Sequence, residues 1–293
     1  MDKYIVGIGE ALWDMLPSGK QLGGAPANFA YHMSQFGFNS LVVSAVGEDE
    51  LGKEITDTFS KKHLQQMIAK VEQPTGTVLV TLNGDGIPEY EIKRNVAWDY
   101  IPWTKELERI ALNTQAVCFG SLAQRSEVSR QTILNFLQTM PNGENQYKIF
   151  DINLRQQFYN LKTIEDSLHR CNILKINDEE IIVVGRLLGY ETTDMQTIGK
   201  QLRADYGLRL VILTCGTNGS YVFAENQISY FTTPKIQVAD TVGAGDSFTA
   251  AFCASLLNGS SIADSHLNAV KVSAYICTQK GAMPELPAEL QLK

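Results

Sequence analysis

One glycine-rich segment and the apolar run after it constrain this chain more than any other feature. Residues 240–246 read Asp-Thr-Val-Gly-Ala-Gly-Asp, and residues 247–257 continue Ser-Phe-Thr-Ala-Ala-Phe-Cys-Ala-Ser-Leu-Leu. The second run is apolar on almost every face, which predicts a buried helix. The turn Gly243-Ala244-Gly245 would then aim free backbone N–H groups and the positive end of the helix dipole into a partly dry site. A helix start of this kind binds anions, most often phosphate.

Asp246 ends this turn, and a carboxylate beside an anion site needs a reason. It could accept the proton of a hydroxyl group that attacks phosphorus. The structural alternative is that aspartate caps the helix and that the glycines only permit close packing. The segment alone leaves both interpretations open.

Composition narrows the class of protein. The chain has 293 residues, of which 44% are hydrophobic and 19% charged, as in ordinary globular proteins. A net charge of −7 gives no basic footprint for nucleic acid. No run approaches the ~18 apolar residues of a membrane helix, and no secretion signal precedes the first strand pattern. We therefore expect a cytoplasmic protein without nucleic-acid or membrane partners.

The order of predicted elements indicates an α/β fold. Strands and helices alternate from Trp103 onward, which predicts a mainly parallel sheet flanked by helices in a single domain over residues 1–293. Two β segments, at about 11–25 and 76–98, do not fit this alternation. The second reads as a hairpin around Asn83-Gly-Asp-Gly. Together the segments are predicted to form a small β-sheet lid over one edge of the domain.

A second glycine motif lies near the amino end. Gly23 and Gly24 would let the backbone approach a ligand, and Pro26 marks the start of a helix. Asn28, in the first turn, offers the donor and acceptor that a sugar diol requires. Asp14, on the preceding β segment, could accept from two hydroxyl groups. The alternative is a helix entry with Asn28 as a local cap.

The glycines at 7 and 9, followed by Glu10, invite a dinucleotide-binding interpretation. Leu12 occupies the position of the third glycine of that fingerprint, so we discount it.

Polar residues follow several predicted parallel strands, where open α/β sheets bind ligands. Thr214 ends one strand and leads into a loop with Gly216 and Gly219. Asn177 and Glu180 follow another at a spacing that places both on one helix face.

An amide and a carboxylate suit Mg²⁺ held through water, and the alternative is a helix cap with a solvated Glu180. Arg155 follows a third strand and could pair with phosphate oxygens, a surface ion pair being the alternative.

Together these motifs resemble the ribokinase-like (PfkB) family of sugar kinases, and within it the bacterial fructokinases. The resemblance spans nearly the whole chain. One family signature matches residues 23–30 through Gly37 and Gly47, and another matches residues 240–252. The tail at residues 279–284 resembles the family's carboxyl-terminal loop.

The resemblance implies a role for each matching residue. It makes Asp246 the catalytic base and Gly243, Ala244 and Gly245 the anion hole for the transferred phosphoryl group. It implies sugar contacts from Asp14, Gly24 and Asn28, a nucleotide site at Gly216 and Gly219 that we extend to Thr214 and Asn177, and Mg²⁺ binding helped by Asn177 and Glu180. In some members the positions of Asp240, Val242 and Gly281 form a monovalent-cation loop for K⁺. Glu285 stands here where those members often have a small polar residue.

The expected activity is therefore ATP-dependent phosphorylation of D-fructose to fructose 6-phosphate. Residues 96–101 and 151–155 look like fructokinase segments. Other acceptors remain open: 2-keto-3-deoxygluconate, for which Arg94 is a candidate cation, ribose, or a nucleoside. A non-enzymatic sensor on the same fold is the remaining alternative, against which the intact Asp246 speaks.

The apolar residues of the lid also predict an interface between two copies of the chain. If Asp14 faces the sugar, its strand neighbour Trp13 faces away from it. Leu12, Trp13 and Met15 are too apolar for a small two-sided sheet in water, so we predict a homodimer joined through the lid.

Overall fold

Strands and helices alternate along most of the chain. The computed structural model describes residues 3–16, 19–82 and 88–291. Its strands are β1 (Tyr4–Ile8), β2 (Leu12–Leu16), β3 (Gly19–Gly23), β4 (Ser40–Gly47), β5 (Gln65–Val71), β6 (Gly76–Leu82), β7 (Pro88–Ile92), β8 (Thr114–Phe119), β9 (Tyr147–Asp151), β10 (Ile173–Asn177), β11 (Leu210–Thr214), β12 (Ser220–Phe223) and β13 (Ile228–Phe231). Its α-helices are α1 (Ala25–Gln35), α2 (Glu50–Lys61), α3 (Lys105–Leu112), α4 (Glu127–Thr139), α5 (Leu161–Leu168), α6 (Asp178–Leu187), α7 (Met195–Asp205), α8 (Ala244–Leu257) and α9 (Ile262–Cys277).

The main sheet has nine strands in the order β13-β12-β11-β10-β9-β8-β1-β4-β5. Every neighbouring pair from β11 to β5 is parallel, and β12 and β13 extend one edge as antiparallel strands. Helices cover both faces, over buried clusters that contain Phe119 and Phe150 on one side and Phe248 and Phe252 on the other. The predicted fold class is confirmed, and the carboxyl ends of the parallel strands share one edge.

The small sheet has the order β3-β2-β6-β7, so the two β segments do combine into one lid sheet. β2 pairs with β3 and β6 with β7 in antiparallel fashion, whereas β2 and β6 run parallel. The predicted hairpin turn at residues 83–86 lies outside the described residues.

The outer face of the lid differs from the prediction. Leu12 and Trp13 are only 5% and 7% exposed. Leu12 packs into the main core, whereas Trp13 packs with Ile55 and Phe59 of α2. The Trp13 indole N–H donates to the Leu51 carbonyl oxygen at 3.0 Å, and the Lys20 ammonium lies over the Trp13 ring. A second copy of the chain was expected to cover Trp13, and α2 of the same chain covers it instead.

One additional strand and one helix start also depart from the prediction. β5 was not expected, since Gln65, Gln66 and Lys70 interrupt the apolar pattern of its sequence Gln-Gln-Met-Ile-Ala-Lys-Val. It forms the edge of the main sheet beside β4. Helix α8 begins at Ala244 instead of after Asp246, with Gly243 as its N-cap in the left-handed region at φ 77°. Asp246 therefore lies in the first turn of the helix.

Helix α8 is buried from Ser247 to Ser255, as its apolar composition predicts, and packs between α1 and α9. Among the helices of the described ranges, none combines the length and apolar character needed to cross a membrane.

Candidate active site

Two helix starts meet at the carboxyl edge of the main sheet. Asn28 lies in the first turn of α1 and Asp246 in the first turn of α8. The Asn28 side-chain amide donates to Asp246 Oδ2 at 2.7 Å. Burial and the nearby Asp151 raise the pKa of Asp246 to about 6, although the Asn28 hydrogen bond and the cations Lys175 and Arg155 oppose the rise. Near neutral pH this carboxylate is ionised and more basic than an ordinary aspartate.

The glycine turn before Asp246 is held by the carboxyl-terminal loop. A Cβ on Gly243 would lie 2.7 Å from the Ala282 Cβ and 2.9 Å from its carbonyl oxygen. The His32 side chain of α1 hydrogen-bonds that carbonyl oxygen at 2.9 Å. Glycine is required at 243 because the turn has a positive φ there and because a side chain would collide with Ala282. The contact with the carboxyl-terminal loop therefore fixes the position of the free N–H groups at the start of α8.

A buried ion pair lies beneath the same turn. Lys175 Nζ donates to Asp151 Oδ1 at 3.1 Å, and the Thr249 hydroxyl donates to Asp151 Oδ2 at 2.9 Å. A Cβ on Gly245 would come within 2.8 Å of Lys175 Nζ. Burial lowers the pKa of Lys175, but Asp151, Glu180 and Asp246 outweigh it and the net pKa is raised. A permanent positive charge therefore lies directly behind the helix start.

Sequence reasoning missed Lys175. The detectable signal was a single lysine inside the apolar strand Ile-Leu-Lys-Ile-Asn. A charged residue in such a strand needs a buried partner.

The lid contributes a second carboxylate. Burial raises the pKa of Asp14 to about 6, and Arg155 opposes that rise. A Cβ on Gly23 of the neighbouring strand would come within 2.5 Å of Asp14 Oδ2, so glycine there leaves room for the carboxylate. Arg155 is exposed, and its guanidinium donates to the Leu154 carbonyl oxygen at 3.0 Å. Its positive charge lowers the pKa values of Asp14, Asp246 and Glu10, against the larger effect of burial.

Glu10 is a buried acid at the end of β1, with 2% exposure. Burial raises its pKa to about 7. Gly24 packs on it, since a Cβ on Gly24 would lie 2.3 Å from the Glu10 carbonyl oxygen. The backbone of Gly24 is therefore in contact with Glu10, and whether it also touches a sugar stays a prediction.

Asn177 and Glu180 form a reciprocal helix cap at the start of α6. The Glu180 N–H donates to Asn177 Oδ1 at 2.8 Å, and Glu180 Oε2 accepts from the Asn177 N–H at 3.0 Å. Glu180 Oε1 accepts from the Leu154 N–H at 2.8 Å, and its side chain is buried where a solvated one was the alternative. Lone pairs remain on both carboxylate oxygens, so these hard oxygen donors fit Mg²⁺ held through water. Within the described ranges, no group of three or more His, Cys, Asp or Glu side chains could hold a metal by itself.

The predicted nucleotide loop follows β11. Gly216 has φ 51° and open space around its Cβ position, whereas a Cβ on Gly219 would meet the Phe231 carbonyl oxygen at 2.4 Å. The Thr233 hydroxyl closes the loop by donating to the Gly216 carbonyl oxygen at 2.5 Å and accepting from the Gly219 N–H at 3.1 Å. Glycine is needed at 219 because the backbone of β13 packs against it, whereas the space beside Gly216 is free for a ligand. Thr214 ends β11 beside Asn177, its register partner on β10.

The three positions of the predicted cation loop are joined by hydrogen bonds. Asp240 Oδ1 accepts from the Val242 N–H at 3.1 Å, and Asp240 Oδ2 accepts from the Gly281 N–H at 3.1 Å. Whether K⁺ binds there stays a prediction.

A cavity of about 490 Å³ adjoins the lid. The Arg94 guanidinium lies over the Phe158 ring at 4.9 Å, and the Arg125 guanidinium lies over the Phe158 ring at 4.6 Å and over the Trp98 ring at 3.9 Å. Arg125 forms a two-pronged ion pair with Asp99, at 2.8 and 2.9 Å. The structure therefore places Arg94 in this cavity with Arg125.

Comparison with known proteins identifies the family. The profile described as "pfkB family carbohydrate kinase" matches residues 18–289. An ATP-dependent 6-phosphofructokinase of Thermoanaerobacterium thermosaccharolyticum is 29% identical, over 97% of this chain and 91% of the relative. A fructokinase of Salmonella typhimurium is 27% identical, over 97% of this chain and 96% of the relative.

Solved structures agree on the fold. A Vibrio cholerae fructokinase in its fructose-, ADP- and calcium-bound form is 25% identical with a TM-score of 0.79, covering 99% of this chain and 98% of that one. A Xylella fastidiosa fructokinase with bound ATP has a TM-score of 0.86 at 19% identity, covering 98% and 96% of the two chains. The chain is thus a sugar phosphotransferase that belongs to the pfkB family of carbohydrate kinases.

Proposed function

We propose that this protein transfers the γ-phosphoryl group of ATP to the primary hydroxyl group of a small sugar, with Asp246 as the general base. The observation that carries the proposal is the position of Asp246 in the first turn of α8, where Asn28 holds its carboxylate at 2.7 Å. One group can then accept a proton beside a helix start that attracts phosphate.

The mechanism follows from this geometry. The Asp246 carboxylate takes the hydroxyl proton as the sugar oxygen attacks the γ-phosphorus. The backbone N–H groups of residues 243–245 stabilise charge on the phosphoryl oxygens, with the Lys175 ammonium behind them adding positive potential. The exposed guanidinium of Arg155, whose charge acts on Asp246, would pair with phosphate oxygens. Asn177 and Glu180 would hold Mg²⁺ through water, and the ion would supply positive charge near the ATP phosphates.

D-Fructose is the proposed acceptor, with fructose 6-phosphate as product. Two lines support it: the fructokinases among the similar proteins, and a pair of polar side chains, Asp14 and Asn28, that suit hydroxyl groups. Asp14 would also repel an acceptor's carboxylate.

An acceptor that carries its own negative charge is the second candidate. Arg94, which lines the cavity beside the lid, would pair with that charge, whereas Arg125 in the same cavity is already paired with Asp99. A sugar acid such as 2-keto-3-deoxygluconate, or a sugar phosphate like the substrate in the name of the 6-phosphofructokinase relative, would supply the charge. Ribose, nucleosides and a role as a non-enzymatic sensor have no comparable observation in their favour.

We further propose a cytoplasmic enzyme that K⁺ activates through Asp240. Homodimerisation also stays a proposal, although burial of Trp13 within the chain removes the apolar lid face that first suggested it. Light scattering at micromolar concentration tests it, and a monomer would contradict it.

The test is ADP release by the purified protein with fructose, fructose 6-phosphate, ribose and 2-keto-3-deoxygluconate, each at several concentrations. We expect the highest kcat/KM with fructose, and a fall in kcat of ~10²–10⁴ for Asp246→Asn, with ATP binding kept. A preference for an anionic acceptor that Arg94→Ala abolishes would establish the second candidate. No sugar-dependent ADP release from any acceptor would favour the sensor.

A further inference from the structure

Helix α1 carries a row of polar side chains on one face. Asn28, His32 and Gln35 follow one another at intervals of four and three residues, so they lie one above the other along the helix. Asn28 and His32 are only 3% and 0% exposed. Burial of polar groups is costly unless they find hydrogen-bond partners, so this face of α1 has to meet particular groups of neighbouring segments.

His32 and Gln35 bind the carboxyl-terminal loop and the segment after it. The His32 Nε2 atom lies 2.9 Å from the Ala282 carbonyl oxygen, which can only accept, so Nε2 carries the proton. The Gln35 side-chain amide donates to the Pro284 carbonyl oxygen at 3.2 Å, and its Oε1 atom accepts from the Leu286 N–H at 2.7 Å. Three hydrogen bonds therefore attach this part of the chain to α1.

The Ala282 carbonyl oxygen also contacts the glycine turn. A Cβ on Gly243 would lie 2.9 Å from this oxygen and 2.7 Å from the Ala282 Cβ, so the backbones of the two residues pack directly on each other. Gly243 is the N-cap of α8. The atom to which His32 donates is therefore also one of the atoms against which the start of α8 rests.

We propose that His32 is a positioning residue for phosphoryl transfer: its Nε2–H holds the Ala282 carbonyl oxygen against Gly243 and thereby keeps the N–H groups of the glycine turn in place. This role rests on the proposed function, in which those N–H groups stabilise charge on the phosphoryl oxygens. Asn28, one helix turn before His32, holds the base Asp246. A single face of α1 then positions both the base and the anion site.

The experiment compares His32→Gln and His32→Leu by steady-state kinetics with ATP and the acceptor that wild-type protein prefers. The glutamine amide can donate in place of Nε2–H, so we expect kcat within a few-fold of wild type. Leucine fills the space without a donor, and we expect kcat to fall roughly 10- to 100-fold, as small misplacements of catalytic groups do, with a nearly unchanged KM for ATP.

Thr132→Val is the matched control. The Thr132 hydroxyl is another buried side-chain donor to a backbone carbonyl oxygen, that of Ile101 at 2.7 Å, but it lies on α4. The variant loses one buried hydrogen bond and should keep wild-type kcat. Urea unfolding of each variant measures the accompanying loss of stability.

The acidic limb of the kcat profile separates positioning of the glycine turn from displacement of the whole helix. The limb of His32→Leu should stay near pH 6, the pKa of Asp246, because the hydrogen bond from Asn28 is kept. A limb that moves to higher pH would mean that α1 has shifted as a unit, and would overturn the inference.

Three kinetic results would also overturn it: wild-type kcat in a folded His32→Leu enzyme, an equal loss of kcat in Thr132→Val, or a His32→Gln enzyme as slow as His32→Leu. Should His32→Leu fail to fold, His32→Met, whose flexible side chain also lacks a donor, replaces it with the same expected and contrary outcomes. Wild-type protein without any sugar-dependent ADP release would instead contradict the proposed function.

Discussion

The Asn28 amide nitrogen lies 2.7 Å from Asp246 Oδ2, so a hydrogen bond joins the first turn of α1 to the first turn of α8. The residues are 218 positions apart in the chain. A donor on one carboxylate oxygen favours the ionised form and leaves the other oxygen to accept a proton. This contact therefore influences both the position and the basicity of Asp246.

Replacing Asn28 by alanine should move the acidic limb of the kcat profile. The wild-type limb is expected near pH 6, the pKa of Asp246. Loss of a hydrogen bond to a charged group raises that pKa, by roughly one unit for an interaction of about 1.5 kcal/mol. The measurement is kcat from pH 5 to 8 with saturating substrates. Ser34→Ala, elsewhere on α1, should leave the limb in place, and an unshifted limb in Asn28→Ala would contradict the assignment.

Asp246→Asn should make the protein more stable at alkaline pH. The folded-state pKa of Asp246 is raised from 3.8 to about 6, so ionisation opposes folding. This group's contribution to stability is greatest below pH 3.8 and is lost as the pH rises through about 6. Asparagine removes that loss of stability, which is worth up to about 3 kcal/mol. Thermal unfolding should give a higher Tm than wild type at pH 8 and a much smaller gain at pH 4.5; a lower Tm at pH 8 would argue against the burial.

Gly243→Ala should impair both stability and catalysis, whereas Gly37→Ala should impair stability alone. Both glycines have a left-handed φ, at 77° and 81°, which an alanine adopts at a cost of roughly 1–2 kcal/mol. Only Gly243 would also collide with Ala282, while the Cβ position of Gly37 is open. Urea unfolding with kcat measured on each variant separates these effects. Equal kcat values for the two variants would mean that the Gly243 turn is not part of the catalytic site.

Trp13→Ala should destabilise the chain and not merely alter its association. The side chain is 7% exposed and packs inside the protein, so its removal costs about 3–5 kcal/mol. Trp13→Phe keeps an aromatic ring but loses the 3.0 Å bond to Leu51, with an expected loss of about 1 kcal/mol beyond packing. Urea unfolding with light scattering checks both. If the Trp13→Ala protein is as stable as wild type but light scattering gives a different molecular mass, Trp13 belongs to an interface between two copies instead.

The sequence was sufficient for features that depend on local pattern. The apolar run after Asp246 could only be a buried helix, and the alternation of elements implied a parallel sheet. The pairing of Asn28 with Asp246, by contrast, depends on how α1 and α8 cross, which no local pattern encodes.

The misses have similar physical causes. β5 lies at a sheet edge, where Gln65 and Lys70 are exposed and the other residues are only partly buried, so its hydrophobic signal is weak. Trp13 was expected in an interface between two copies, because the sequence does not reveal that α2 of the same chain covers it. Lys175 was visible in the sequence, but its role depends on Asp151 from another strand.

The parallel pairing of β2 with β6 has a kinetic consequence. The partner strands lie on either side of α1, β4, α2 and β5 in the chain, so neither can form this pair as a local hairpin. Closing so long a loop is slow until the intervening segments are already folded. Refolding should therefore produce the central sheet first and the lid sheet last.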